Sequence, residues 1–181
     1  MVILIAFLPG YFAINTTLDL NMVQNSLTTV QAISSKIDTI PLSEKEGIGQ
    51  IVWSPLAQGI LTSKYLPGKK PPAGSRATDK KSGANFISGW MRDEVLEAVQ
   101  RLKPIADEAG LTISQLSIAW VLANSNVSSA IMGATKPAQV KENVKAAGVK
   151  LSSDQLKAID KALGNLPERD PKKNQSPNPR A

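Results

Sequence analysis

Two short stretches of this sequence carry the residue types that grip an anion. Residues 51–59 read IVWSPLAQG and residues 130–140 read AIMGATKPAQV. In each, an apolar run gives way to a small hydroxyl residue, Ser54 or Thr135. Each also has a glycine, Gly59 or Gly133, where the missing Cβ lets a ligand come close to the backbone. The second stretch runs directly into a helical pattern, and the free N–H groups and positive pole of a helix start favour a phosphate. Between the two lies residues 64–89, KYLPGKKPPAGSRATDKKSGANFISG, which supplies Lys64, Lys69, Lys70 and Arg76 as cations. Neither GxGxxG nor a Walker sequence is present, so the two familiar nucleotide fingerprints are absent. Taken one at a time, Ser54 and Thr135 read equally as caps, Trp53 as a core residue, and the cations as solvated charge. The repetition of strand end, hydroxyl and glycine, with cations between, is what points to a phosphate-holding mouth.

The composition removes most other chemistry. The 181 residues include no cysteine and no histidine, which excludes disulfides, thiol nucleophiles, Ser-His-Asp triads and the usual zinc sites. No acidic cluster has the loop spacing of a Mg²⁺ or Ca²⁺ site, so no metal is expected. The net charge of +6 suits an anionic ligand. Nucleic acid is not expected, because much of the positive charge sits in the ending ERDPKKNQSPNPRA and aromatics make up only 4% of the chain. Residues 166–181, which include that ending, read as a disordered polar tail following a domain over 1–165. The opening MVILIAFLPGYFAINTTLDL is apolar, yet Pro9 and Gly10 interrupt it short of the roughly 18–20 residues a spanning helix needs. It also lacks a basic n-region, so neither a membrane segment nor a signal peptide is expected, and the compartment implied is cytoplasmic. VILIAFL and YFAI read instead as buried strands, which need partners on both faces and hint at something larger than this chain.

The elements that must position the two mouths follow in order. PLSEKEG reads as a short helix closed by Gly47 and IGQIVWS as a buried strand. The run 64–89 is long for a loop inside a domain, and such loops are either binding lids or disordered. RDEVLEAVQRLKPIADEAG sets Val95, Val99, Leu102, Ile105 and Ala106 on one helix face, with Pro104 either kinking the helix or dividing it near Lys103, and Gly110 closing it. Thr112 and Gln115 form a capping-box pair ahead of TISQLSIAWVLANS. SSAIMGA is an apolar strand, TKPAQVKENVKAAG a helix with Thr135 as cap and Pro137 in its first turn, and LSSDQLKAIDKALG a last helix starting at Ser152 or Ser153 and ending at Gly164. This alternation is that of a parallel α/β fold, either a doubly wound sheet or a (β/α)₈ barrel. The strand candidates are Val2–Phe7, Met22–Gln24, Gly49–Trp53 and Ser129–Met132, too few for a whole barrel.

WSPLAQGILTSKY, PPAGSRA, ISQLSIAWVL, NVSSAIMGATKPAQVKENVKA and LSSDQLKAIDKALG together closely resemble the carboxyl-terminal half of the aldo-keto reductases. The branch is that of the voltage-gated potassium channel β-subunits and their bacterial relatives, and the resemblance is clearest over 44–164. It implies a partial (β/α)₈ TIM barrel and NADP(H) as cofactor. Trp53, Ser54, Pro55, Leu56, Ala57 and Gln58 then match positions around the pyrophosphate. Lys64 and Arg76 match positions that close over the cofactor and meet its phosphates. Gly133, Thr135, Gln139, Glu142 and Asn143 match those that hold the adenosine end, and Gln24 the glutamine that bonds the nicotinamide amide. Leu27 stands where the family carries a stacking Tyr.

The resemblance further implies an oxidoreductase that reduces aldehydes or ketones with NADPH, the substrate being a small carbonyl compound. The family's catalytic Asp, Tyr, Lys and His belong to the first half of the barrel and have no counterpart here, and Tyr11 and Tyr65 fit neither the motif nor its order. No catalytic residue is therefore assigned. The alternative is a truncated or decayed, non-catalytic chain with residual dinucleotide binding. A regulatory subunit is a third reading, completed by another chain or by self-association through open barrel edges.

Overall fold

The computed structural model describes residues 2–7, 45–81 and 83–167. Three strands form one sheet: β1, Val2–Phe7; β2, Gln50–Trp53; and β3, Val127–Ala134, in the order β1-β3-β2. β2 and β3 are parallel, with Ile51 opposite Ser129 and Trp53 opposite Ile131, so both carboxyl ends emerge on one side. Parallel neighbours require a long crossover, and the helices between residues 57 and 122 supply it. β1 departs from the all-parallel expectation. It pairs antiparallel with β3, from Val2 opposite Ala134 to Phe7 opposite Ser129. A strand edge offers donors and acceptors to a partner of either direction, so an apolar hexapeptide such as VILIAF carries no mark of its orientation.

The helices begin and end where local chemistry dictates. After α1, Gly83–Ile87, come α2, Asp93–Arg101, and α3, Lys103–Glu108, which are separate because Pro104 sits in the first turn of the second. α4, Ile113–Leu122, starts at Thr112, whose Oγ1 accepts from Gln115 N at 3.2 Å while Gln115 Oε1 accepts from Thr112 N at 3.0 Å. α5, Pro137–Asn143, follows β3 closely. α6, Ser153–Leu163, is capped by Ser152, and Gly164 beyond it adopts a positive φ.

Two apolar clusters meet at α4, which is why that helix has almost no polar face. On one side Val52, Ala130 and Met132 of the sheet pack on Ile118, Val121 and Leu122. On the other, Leu116 and Trp120 join Val95, Leu96, Val99 and Leu102 of the α2 region, Ile60, Leu61 and Tyr65, and Ile159 and Leu163 of α6. Val95, Val99, Leu102 and Ala106 are buried as the helical spacing predicts, and Ile105 is partly buried against them.

Three expectations need correction. β2 is not buried on both faces: Val52 faces α4, but Ile51 is 41% exposed. Successive strand residues point to opposite faces, so Ile51 points away from the α4 side that Val52 meets. The run 64–89 is no plain loop, since it contains a 3₁₀ turn at Arg76–Thr78, then α1, then a second 3₁₀ turn at Ser88–Trp90. The polar tail also starts later than residue 166. Leu166 packs on the core and Pro167 is buried. The expected strand Met22–Gln24, Tyr11–Thr17, Leu27, most of PLSEKEG and residues 168–181 lie outside the described residues.

Candidate dinucleotide cleft

The carboxyl ends of β2 and β3 lie side by side, joined where Ser54 N donates to Ile131 O at 3.2 Å. They open into a cleft of about 1000 Å³. Of the residues expected around a pyrophosphate, Ser54, Pro55, Leu56 and Gln58 line it. Trp53 and Ala57 do not. Ala57 is buried in the main core at 3% exposure, and Trp53 ends β2 without reaching the wall of the cleft. The backbone here is unusual. Ser54, Ala57 and Gln58 have φ of 55°, 47° and 58°, a left-handed run in residues that normally avoid it. A hydrogen bond from Gln58 Nε2 to Ser54 Oγ, 2.7 Å, spans the bend, and Ser54 O accepts from Ala57 N at 2.9 Å. Such conformations persist only where surrounding structure imposes them, and they gather at functional sites.

The opposite wall comes from β3 and α5. Gly133, Thr135, Gln139, Glu142 and Asn143 all line the cleft. Thr135 is not the helix cap, because Lys136 holds that position. Gln139 reaches back instead: its Oε1 accepts from Thr135 N at 2.8 Å, Thr135 Oγ1 at 3.1 Å and Lys136 N at 3.1 Å. With the oxygen so occupied, Nε2 is the spare donor of that side chain. The main-chain carbonyl of Glu142 accepts from Gln115 Nε2 at 3.0 Å, which pins α5 to α4. Asn143 is only 6% exposed, and its amide has no hydrogen-bond partner among the described residues.

The segment between the walls brings the two expected cations to the rim. Lys64 and Arg76 line the cleft, and neither forms an ion pair among the described residues. Lys64 lies along Gly59, where a methyl group would sit 2.7 Å from Nζ, and Nζ is 5.1 Å from the centre of the Tyr65 ring. Gln100 ties down both neighbours of Lys64: the Ser63 side chain, whose Oγ donates to Gln100 Oε1 at 3.1 Å, and the Tyr65 main chain, whose O accepts from Gln100 Nε2 at 3.5 Å. Lys69 and Lys70 do not line the cleft. Gln24 lies outside the described residues.

Sequence reasoning missed Ser75, Asp79, Gly83 and Ser114, all of which line the cleft. Ser75 Oγ is buried with no hydrogen-bond partner among the described residues, beside Arg76. The signal available in GSR was a hydroxyl donor beside a guanidinium, two groups that can both donate to an anion. Among the described residues no group of three or more His, Cys, Asp or Glu could hold a metal, and no helix is long and apolar enough to cross a membrane.

Comparison with known proteins agrees with this architecture. The Aldo/keto reductase family profile matches residues 14–163. A probable voltage-gated potassium channel subunit beta of Arabidopsis thaliana is 43% identical over 138 residues, which is 74% of this chain and 42% of that protein. A putative voltage-gated potassium channel subunit beta of Schizosaccharomyces pombe is 44% identical over 133 residues, 72% of this chain and 38% of that one. This chain thus spans about two fifths of the relatives it matches. The structure of a glycerol dehydrogenase from Gluconobacter oxydans superposes with a TM-score of 0.59 at 23% identity, over 81% of this chain and 42% of that one. That likeness shows the fold, part of a (β/α)₈ barrel with its sheet left open. With the family profile covering most of its length, the chain belongs to the aldo/keto reductase family.

Proposed function

We propose that this chain binds NADP(H) in the cleft and that carbonyl reduction requires a proton donor from outside the described residues. The observation that carries the reading is a single cleft that gathers two parallel strand ends, two cations without ion pairs, and the buried, unpartnered Ser75 hydroxyl. A dinucleotide supplies what these groups lack: phosphate oxygens for Ser75, Lys64 and Arg76, and heterocycle acceptors and donors for the Asn143 amide and Gln139 Nε2. The fit is therefore good at the phosphate and adenosine ends. When bound, the cofactor supplies the reducing hydride for an aldehyde or ketone.

The residues of this chain orient that cofactor and neutralise its charge. The left-handed run at Ser54, Ala57 and Gln58 shapes one wall, Gln139 shapes the other, and Lys64 and Arg76 stand over the opening. Protonating the carbonyl oxygen needs a general acid within hydrogen-bond reach. Of the ionisable residues lining the cleft, Asp79 accepts from two backbone N–H groups and Glu142 lies 3.9 Å from Lys145 Nζ. Lys64 and Arg76 are committed by this reading to the phosphates. None is a tyrosine or histidine. A second reading rests on the relatives' names: a regulatory subunit whose dinucleotide occupancy is sensed by a partner chain.

Titration of the purified protein with NADPH, followed by cofactor fluorescence, tests the main reading. Saturable binding that weakens at least severalfold in Lys64→Ala and Arg76→Ala supports it. Absence of binding, or affinity indifferent to both substitutions, rejects it.

A further inference from the structure

Gly83 is a glycine for want of space, not for backbone freedom. Its φ is not in the left-handed range, so any residue could adopt its conformation. A Cβ placed there would lie 2.8 Å from the main-chain oxygen of Arg76, 2.9 Å from Arg76 Cγ and 2.9 Å from Asp79 Oδ2. These distances are well inside van der Waals contact, and one of the obstacles is backbone, which cannot swing away.

Asp79 draws the same two segments together from the other side. Its carboxylate accepts from Lys81 N at 3.0 Å through Oδ1 and from Gly83 N at 3.1 Å through Oδ2, and its carbonyl accepts from Ala84 N at 3.0 Å. Upstream, Thr78 Oγ1 and Thr78 N both donate to Ser75 O, at 2.8 and 3.0 Å, and Asp79 N donates to Arg76 O at 3.2 Å. Residues 75–81 are thus tied to Gly83 and Ala84, and the Arg76 guanidinium forms no ion pair among the described residues.

We propose that Asp79 and Gly83 are positioning residues that hold the Arg76 main chain in place and so aim its guanidinium at a phosphate of the bound dinucleotide. The inference rests on the binding proposed above and adds to it: affinity for the phosphates depends on a clasp that itself makes no contact with them. Adding a methyl group at Gly83, or removing one acceptor of Asp79, displaces Arg76 while leaving its charge intact. A displaced guanidinium forfeits a charge-assisted, bidentate contact.

A double-mutant cycle tests this. NADPH affinity is measured by fluorescence for the full chain, Arg76→Ala, Gly83→Ala and the double variant, with thermal melting recorded for each. The expected result is about a tenfold loss for Gly83→Ala alone, on the order of one charge-assisted hydrogen bond. In the Arg76→Ala background the same change costs less than about twofold. Both single variants should also flatten the ionic-strength dependence of binding. If Gly83→Ala does not fold, Asp79→Asn takes its place in the cycle with the same expectation. Additive losses, with wild type binding normally, overturn the positioning role and leave the cofactor reading standing. Failure of wild type to bind NADPH overturns both.

Discussion

At Gln58 the usual ranking of alanine over glycine should reverse. Its backbone sits at φ 58°, ψ 21°, next to Ala57 at φ 47° and Gly59 at φ 101°. Holding an L-residue there costs roughly 1–2 kcal/mol. Gln58→Ala keeps that cost and loses the 2.7 Å bond to Ser54 Oγ, worth about 1 kcal/mol net. Gln58→Gly loses the same bond and sheds the left-handed penalty. It also gives back about 0.5–1 kcal/mol because glycine frees the unfolded chain. The balance puts the glycine variant close to wild type and about 0.5–1 kcal/mol above the alanine variant, whereas in ordinary backbone alanine leads by about the same margin. Urea denaturation of the three proteins, compared at their midpoints, reads the order directly. Both variants remove an amide from the cleft wall, so both should weaken NADPH binding by about the same factor, whatever their stability. An alanine variant as stable as the glycine variant would refute the claim that strained backbone shapes this wall.

The buried hydroxyl of Tyr65 has no hydrogen-bond partner among the described residues, so Tyr65→Phe should stabilise the fold by about 1 kcal/mol, raising the melting temperature by roughly 2–4 °C; a loss of stability would reveal a partner for that hydroxyl. Gln115→Leu removes both the return bond of the capping box and the bond to Glu142 O, and should cost about 2 kcal/mol by chemical denaturation. A cost under about 0.5 kcal/mol would mean that α5 is not pinned through this side chain. Gln100→Leu frees the Ser63 side chain and the Tyr65 carbonyl on either side of Lys64 and should weaken NADPH binding by about threefold, an effect that disappears in Lys64→Ala.

Much of the fold was legible in the sequence because its signals are local. Thr112 with Gln115, Pro104, Gly110 and Gly164 each act within one helical turn, and the structure places them at the caps, the break and the ends their chemistry specifies. Long-range relations were not legible. VILIAF announces a strand but not the antiparallel partner that β3 provides, and IGQIVWS does not reveal that Ile51 is left 41% exposed. The same division holds in the cleft. The hydroxyls, glycines and cations stand out by type and spacing, so Ser54, Thr135, Lys64 and Arg76 could be named and are brought to one opening. The left-handed run at Ser54, Ala57 and Gln58 could not be read, because none of these residues is the glycine that advertises such backbone. Gly83 was passed over for the opposite reason: it looks like one more loop glycine, and only the 2.8 Å approach to Arg76 O shows its use.

The most direct test of the account is the affinity of the purified chain for NADPH, measured by fluorescence titration or calorimetry. The account predicts saturable, one-to-one binding that depends on Lys64 and Arg76. Failure to bind NADPH, or binding indifferent to substitution of both residues, would contradict the assignment of the cleft.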